Sequence, residues 1–175
     1  MGVFWYDGLM KIFLTGQPRS GKTTLLSKLL AEAKNKQGFV TEEIRDGGER
    51  VGFKLVSADG REAVLAHVDH ESPYKVSRYY VDVRTLDQFI EPLFSISEGQ
   101  LLYIDEIGQM ELFSDRFKEL ANLYLDSDNR VLGTITSVYS DDYTEAVKAR
   151  DDVEVTEITP ANRDQLLVEL EERLF

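Results

Sequence analysis

Hydrophobic positions along this chain fall into two alternating patterns. Ile12-Phe13-Leu14 within 11–15, and Leu101 to Ile104 ahead of Asp105, are short unbroken apolar runs. Runs of this length read as strands buried on both faces, typical of a parallel sheet. Other stretches space their apolar residues three and four apart. Leu25, Leu26, Leu29, Leu30 and Ala33 form one stripe on a helix predicted over 23–36, with Gly38 as its stop signal. Further helices are predicted over 85–98 (Pro92 being a local interruption), over 115–125 with Ser114 as cap, over 141–150 and over 161–174. Strands are predicted at 130–136 and 153–159. Strands alternating with helices give an α/β fold with a parallel core flanked by helices.

The stretch 39–82 has a different texture. Short β-rich runs are separated by Asp46-Gly47-Gly48 and Asp59-Gly60, which predicts two linked antiparallel hairpins extending one edge of the sheet. The organisation expected is one domain over 10–175 with a hairpin insertion at 39–82. Residues 1–9 precede a second methionine, Met10, and read as a peripheral extension in which Phe4, Trp5 and Tyr6 pack on the body of the domain.

Charge and composition narrow the function. The 175 residues hold 32 acidic and 20 basic side chains, a formal net charge of −12, and no cysteine. Phosphate backbones need clustered Lys and Arg, and anionic lipid repels this charge, so nucleic acid and membrane surfaces are not expected partners. No apolar run approaches the roughly 20 residues that span a bilayer. The absence of cysteine removes disulfides, thiolate metal ligands and a thiol nucleophile. The first residues lack a basic n-region and a small-residue cleavage site, which points to a cytoplasmic protein. No motif indicates an obligate protein partner.

The sharpest chemical signal is Gly16-Gln17-Pro18-Arg19-Ser20-Gly21-Lys22-Thr23, which fits G-x-x-x-x-G-K-[ST] between a buried strand and an amphipathic helix. Successive backbone N–H groups in such a loop form an anion nest, and the following helix N-terminus adds partial positive charge. Lys22 is expected to reach the β- and γ-phosphates, Thr23 to ligate Mg²⁺, and Thr24 to complete the nucleotide contacts. The second signal is Leu101-Leu102-Tyr103-Ile104-Asp105-Glu106, a Walker B pattern. Asp105 is expected to hold Mg²⁺ through water, and Glu106 to orient and deprotonate an attacking water.

At these residues the chain resembles the small P-loop nucleoside-triphosphatases of the thermophilic and cancer-related nucleoside-triphosphatase family. The resemblance runs through FLTGQPRSGKTTL, GFVTEEIRDGGERVGF at 38–53, IDEIGQMELFS at 104–114, LGTI at 132–135 and ITPANRDQL at 158–166. It implies a RecA-like P-loop fold and Mg²⁺-dependent hydrolysis of ATP, GTP and other nucleoside triphosphates to diphosphate and phosphate. It also implies broad base tolerance, slow turnover, and a nucleotide site lined by 16–23 and by 101–108, Gly108 included. One departure stands out: the family loop usually carries Gly where this chain has Arg19. Its guanidinium either folds over the γ-phosphate or lies in solvent, and solvent is favoured.

Several residues have weaker claims. Thr134 and Thr136 are either sensors of the attacking water or ordinary strand threonines. Asn162 is expected beside the base, at a C-terminal strand end. A cis arginine is expected to balance transition-state charge, with Arg150 first, Arg19 second and Arg45 third. His67, Asp69 and His70 read as a solvated turn rather than a metal site. Asn35-Lys36-Gln37-Gly38 lacks the Asp of a guanine-reading motif and is discounted. The competing activity is a small nucleotide or metabolite kinase with its acceptor site in 39–82, holding Glu42, Glu43 and Arg45. A nucleotide-dependent binding switch is disfavoured by the Asp105-Glu106 pair.

Overall fold

Ile, Leu, Phe and Tyr at consecutive strand positions are buried on both faces, and this places the two unbroken apolar runs inside one sheet. The computed structural model describes residues 10–175, so the expectations for residues 1–9 lie outside the described residues. Along the chain come β1 (Lys11–Thr15), α1 (Lys22–Glu32), β2 (Lys36–Asp46), β3 (Glu49–Ser57), β4 (Glu62–His67), β5 (Lys75–Val76) and β6 (Tyr79–Val81). These are followed by α2 (Val83–Ile90), β7 (Leu101–Ile107), α3 (Asp115–Asp126), β8 (Arg130–Ile135), α4 (Asp142–Lys148), β9 (Val153–Glu157) and α5 (Arg163–Leu174). The strands form one sheet in the order β5-β6-β4-β3-β2-β7-β8-β1-β9. From β2 to β9 the neighbours are parallel, and from β2 outward to β5 they are antiparallel. The fold is the expected α/β P-loop architecture with an antiparallel extension on one edge.

Alternation sorts β1 between two cores. Ile12 and Leu14 pack with Leu25, Leu26 and Leu29 of α1 and with Leu166, Leu170 and Leu174 of α5. Phe13 faces the opposite layer, where Phe117, Leu120 and Tyr124 of α3 meet Leu86 and Phe89 of α2. Both faces of the central strands are therefore shielded from water, which fixes their register. Helix starts follow the sequence: Asp82, Ser114 and Asp141 each accept a backbone N–H from the first turn of α2, α3 and α4. Pro92 falls where α2 gives way to a 3₁₀ turn over Glu91–Phe94, so the helix predicted over 85–98 is shorter than expected.

Two boundaries differ from expectation. The first helix ends at Glu32, and Gly38 lies inside β2 rather than at a helix stop. A Cβ there would stand 1.9 Å from the Tyr103 carbonyl oxygen, and φ is +152°, so the close approach of β2 to β7 requires glycine. β2 also begins at Lys36 and plays two parts. Lys36 to Val40 pair in parallel with β7, and Phe39 onward pairs antiparallel with β3. The extension thus grows directly out of a core strand.

Candidate active site

A strand that ends in Thr15 and a helix that starts at Lys22 leave a six-residue loop to turn between them. Gly16 (φ +141°), Arg19 (φ +66°) and Gly21 (φ +100°) supply the positive φ values of the turn. Arg19 thus occupies a left-handed conformation that favours glycine, the residue the resembling family usually carries there. Its side chain is exposed and borders the cleft beside the loop, with no hydrogen bond or ion pair among the described residues. Gln17 and Pro18 are exposed at the tip, while Ser20 is buried beneath it with its Oγ unpartnered.

The first turn of α1 has no side-chain cap, unlike α2, α3 and α4. Its N–H groups therefore point into the loop's hollow with positive dipole and no internal acceptor. Lys22 Nζ donates to the carbonyls of Gly16 at 2.8 Å and Gln17 at 3.0 Å, which holds the ammonium across the mouth of the loop. Ser137 Oγ fastens the same Gly16 carbonyl at 2.8 Å. A cleft of about 440 Å³ runs from Arg19, Lys22 and Thr24 toward Thr41, Glu42 and Glu43. Glu42 pairs with Lys54, and Glu43 with Arg45 and Arg50, which holds the Glu43 carboxyl below its usual range.

Parallel β7 carries its acids to the same end of the sheet. Asp105 is 4 % exposed, and its Oδ1 accepts from Thr134 Oγ1. Burial pushes this carboxyl up, while the Thr134 hydrogen bond, the nearby Thr23 hydroxyl and the charge of Lys22 pull the other way. Its Oδ2 is buried without a hydrogen-bond partner. Glu106 borders a second cleft of about 330 Å³ with Thr23, Thr41, Gln109, Met110 and Tyr139. Burial, then the neighbouring Asp105, push its carboxyl up to about 7. A Cβ on Gly108 would stand 2.7 Å from Glu106 Oε1 and 3.1 Å from Glu111 Oε2, so this glycine lets the two carboxyls approach.

Glu111 is a buried acid beside the site that motif reasoning missed. It is 4 % exposed, sits on the 3₁₀ turn Glu111–Phe113, and meets Thr41 Oγ1 at 3.5 Å, while Thr41 donates to the Asp105 carbonyl at 2.8 Å. Burial, then the charge of Glu106, push it up to about 8. The only sequence trace is its place in the IDEIGQMELFS segment. Three acids gathered out of water are costly unless a cation or protons accompany them, and the orphaned Asp105 Oδ2 beside Thr23 provides oxygen donors suited to Mg²⁺. Because the folded protein holds a proton on Glu111 that the unfolded chain releases, stability without divalent cation should fall as pH rises from about 4.5 to about 8. Glu111→Gln should flatten that slope and stabilise the protein at pH 8 by on the order of 2 kcal/mol. Thermal melts at both ends of the window, with chelator present, check this.

Several expected site residues stand elsewhere. Arg150 is corrected most sharply. The helix α4 after β8 returns toward the strand N-termini, and β9 starts there with Val153 beside Lys11. Arg150 therefore lies at the edge opposite the phosphate loop, bound to Asp126, Asp152 and the Leu125 carbonyl. Those carboxylates hold its guanidinium firmly charged, and Asp152 in turn lies well below its usual range. Arg150→Ala should leave turnover intact and lower stability by about 1 kcal/mol, as read from kcat and the urea midpoint. Arg45 is engaged by Glu43 and the Gly48 carbonyl. Thr136 Oγ1 accepts the Val138 and Tyr139 N–H groups, so it shapes a turn, whereas Thr134 orients Asp105. Asn162 caps its own turn. His67 Nδ1 accepts the Asp69 N–H within a turn.

Comparison with known proteins agrees with this geometry. A family model described as NTPase matches residues 11–170. The chain belongs to this NTPase family. It is 45% identical over 163 residues to the nucleoside-triphosphatase THEP1 of Thermotoga petrophila, covering 92% of this chain and 90% of that one. It is 36% identical over 177 residues to the human cancer-related nucleoside-triphosphatase, covering 91% and 93%. The crystal structure of THEP1 from Aquifex aeolicus superposes with a TM-score of 0.86 at 30% identity, over 94% of this chain and 99% of that one. The solution structure of the human protein gives 0.79 at 34% identity, over 94% and 97%. The NTPase match spans both the phosphate loop and the Asp105–Glu111 acids, together with the strand extension between them.

Proposed function

We propose that this NTPase-family chain hydrolyses nucleoside 5′-triphosphates, ATP and GTP among them, to diphosphate and phosphate in a Mg²⁺-dependent reaction. The observation that carries the reading is the convergence of an uncapped helix N-terminus, Lys22, buried Asp105 and half-buried Glu106 at one end of the sheet. The α1 N–H groups and Gly16 to Thr24 hold the phosphates, and Lys22 exchanges its loop carbonyls for phosphate oxygens. Thr23 and Asp105 would hold Mg²⁺, which when bound would screen the phosphate charge. Thr134 keeps the Asp105 carboxylate turned toward that position.

Glu106 is the base. Its carboxyl faces the cleft beyond the γ end of the loop, and burial keeps it a better proton acceptor than an exposed glutamate. One water adds to the γ-phosphorus, the bond from that phosphorus to the β–γ bridging oxygen breaks, and the water's proton passes to Glu106. Lys22 meets the charge gathering on the diphosphate, and Arg19, which lines the cleft beside Lys22, is able to add a second positive charge. Water serves as acceptor, with Glu42, Glu43 and Arg45 held in ion pairs of their own. The chain is read as one domain over 10–175 acting in the cytoplasm. Among the described residues no helix is long and apolar enough to cross a membrane. Phosphate release from ATP, GTP, CTP and UTP, with Mg²⁺ and with chelator, and with no added acceptor, tests the proposal. Steady release that needs Mg²⁺ supports it, and the absence of phosphate release without an acceptor, with diphosphate formed only when an acceptor is supplied, refutes it.

A further inference from the structure

The turn after β9 brings another side chain to the phosphate loop. Asn162 Oδ1 accepts the Thr159 N–H at 2.8 Å, and its Nδ2 donates to the Glu157 carbonyl at 2.9 Å. The Thr159 carbonyl accepts the N–H groups of Asn162 and Arg163 in return. This closed turn lays Arg163 across Gly21. A Cβ on Gly21 would stand 3.0 Å from Arg163 Cδ and 3.7 Å from Nη1, so the arginine stem rests where glycine leaves room. The guanidinium itself is uncommitted. Its side chain is 46% exposed, and its ion pair with Asp164 is 3.4 Å long and lies at the surface. Such a pair contributes little and yields readily to another partner.

The direction of a bound nucleotide follows from the site. Asp105 and Glu106 mark the γ end, on the β7 side of Lys22 and Thr23. The nucleoside then leaves on the other side, past Thr24 and over the surface beside Lys28 and Arg163. The crevice of about 10 Å³ there is too small to enclose a base, so a base there lies against side chains and not in a pocket. We propose that Arg163 is the nucleobase platform of this enzyme: its guanidinium plane stacks on the face of the base, and Asn162 positions it. This rests on the nucleotide occupying the phosphate loop as read above. A planar cation recognises the π-face common to purines and pyrimidines without reading their edges, so the platform binds all bases.

Inorganic tripolyphosphate provides the discriminating probe, because it offers three phosphates and no base. Arg163→Ala should raise KM for Mg·ATP, Mg·GTP and Mg·CTP alike, by about tenfold, with kcat within about twofold. KM for Mg·tripolyphosphate should stay unchanged. Arg163→Lys keeps the charge without the plane and should resemble the alanine variant, and Asn162→Ala should give the same pattern more weakly. An equal rise for tripolyphosphate, rescue by lysine, or a rise confined to purines would each overturn the platform, as would unchanged KM values. Calorimetric binding of ADP against pyrophosphate to the same variants reads the same contact without turnover. Wild-type protein that binds ADP but hydrolyses nothing contradicts the hydrolase reading alone, and the ADP series still decides Arg163. Wild-type protein that binds neither ligand contradicts both.

Discussion

Replacing Lys22 with alanine should lower kcat for Mg·ATP by about 10²–10³-fold, the effect of losing one preorganised donor at developing charge. Lys22 is poised for that task because its ammonium is held by the carbonyls of Gly16 and Gln17 over the hollow that the α1 N-terminus faces. The same change should weaken triphosphate binding far more than diphosphate binding, since the proposed partners of the side chain are the terminal phosphates. Fold should be intact, because the bonds lost are to a surface loop rather than to either core. Equilibrium titration with ADP and with a non-hydrolysable triphosphate, alongside turnover, separates these effects. Unchanged turnover would remove the phosphate-loop assignment.

Glu106→Gln should bind Mg·NTP at least as well as the wild type and hydrolyse it about 10²–10⁴-fold more slowly. The amide keeps the size of the side chain and removes a carboxylate from beside Asp105 and Glu111, which eases the crowding of like charge. Asp105→Asn should behave differently, with the Mg²⁺ requirement shifted to higher concentration, because Asp105 offers the unpartnered oxygen. Single-turnover measurements at saturating Mg·ATP distinguish the two. Wild-type rates in the Glu106 variant would make that residue a bystander.

Much of this arrangement was legible in the sequence because it is local. The phosphate loop is a contiguous motif, the apolar runs ending in Thr15 and in Asp105-Glu106 mark core strands, and Ser114 marks a helix start. What failed was non-local. Gly38 looks like a helix stop until Tyr103 is seen lying against it. Arg150 looks close to the phosphates along the chain, but a parallel crossover returns each helix to the far edge of the sheet, and the arginine goes with it. Glu111 sits among apolar neighbours in a segment whose burial only the packing of β2 and β7 creates, through Thr41. Asn162 was expected at the base because strand C-termini face the ligand. The structure commits its amide to the turn, and Arg163, which follows it, is the side chain that lies against Gly21 of the phosphate loop.

Hydrolysis of ATP in ¹⁸O-labelled water tests the central claim most directly, since it reports which phosphorus the water attacks. Attack on the γ-phosphorus at the Glu106 end of the cleft places one labelled oxygen in each released phosphate and none in ADP. Label in the diphosphate, or the γ-phosphoryl group recovered on an added acceptor with no labelled phosphate released in its absence, would contradict it.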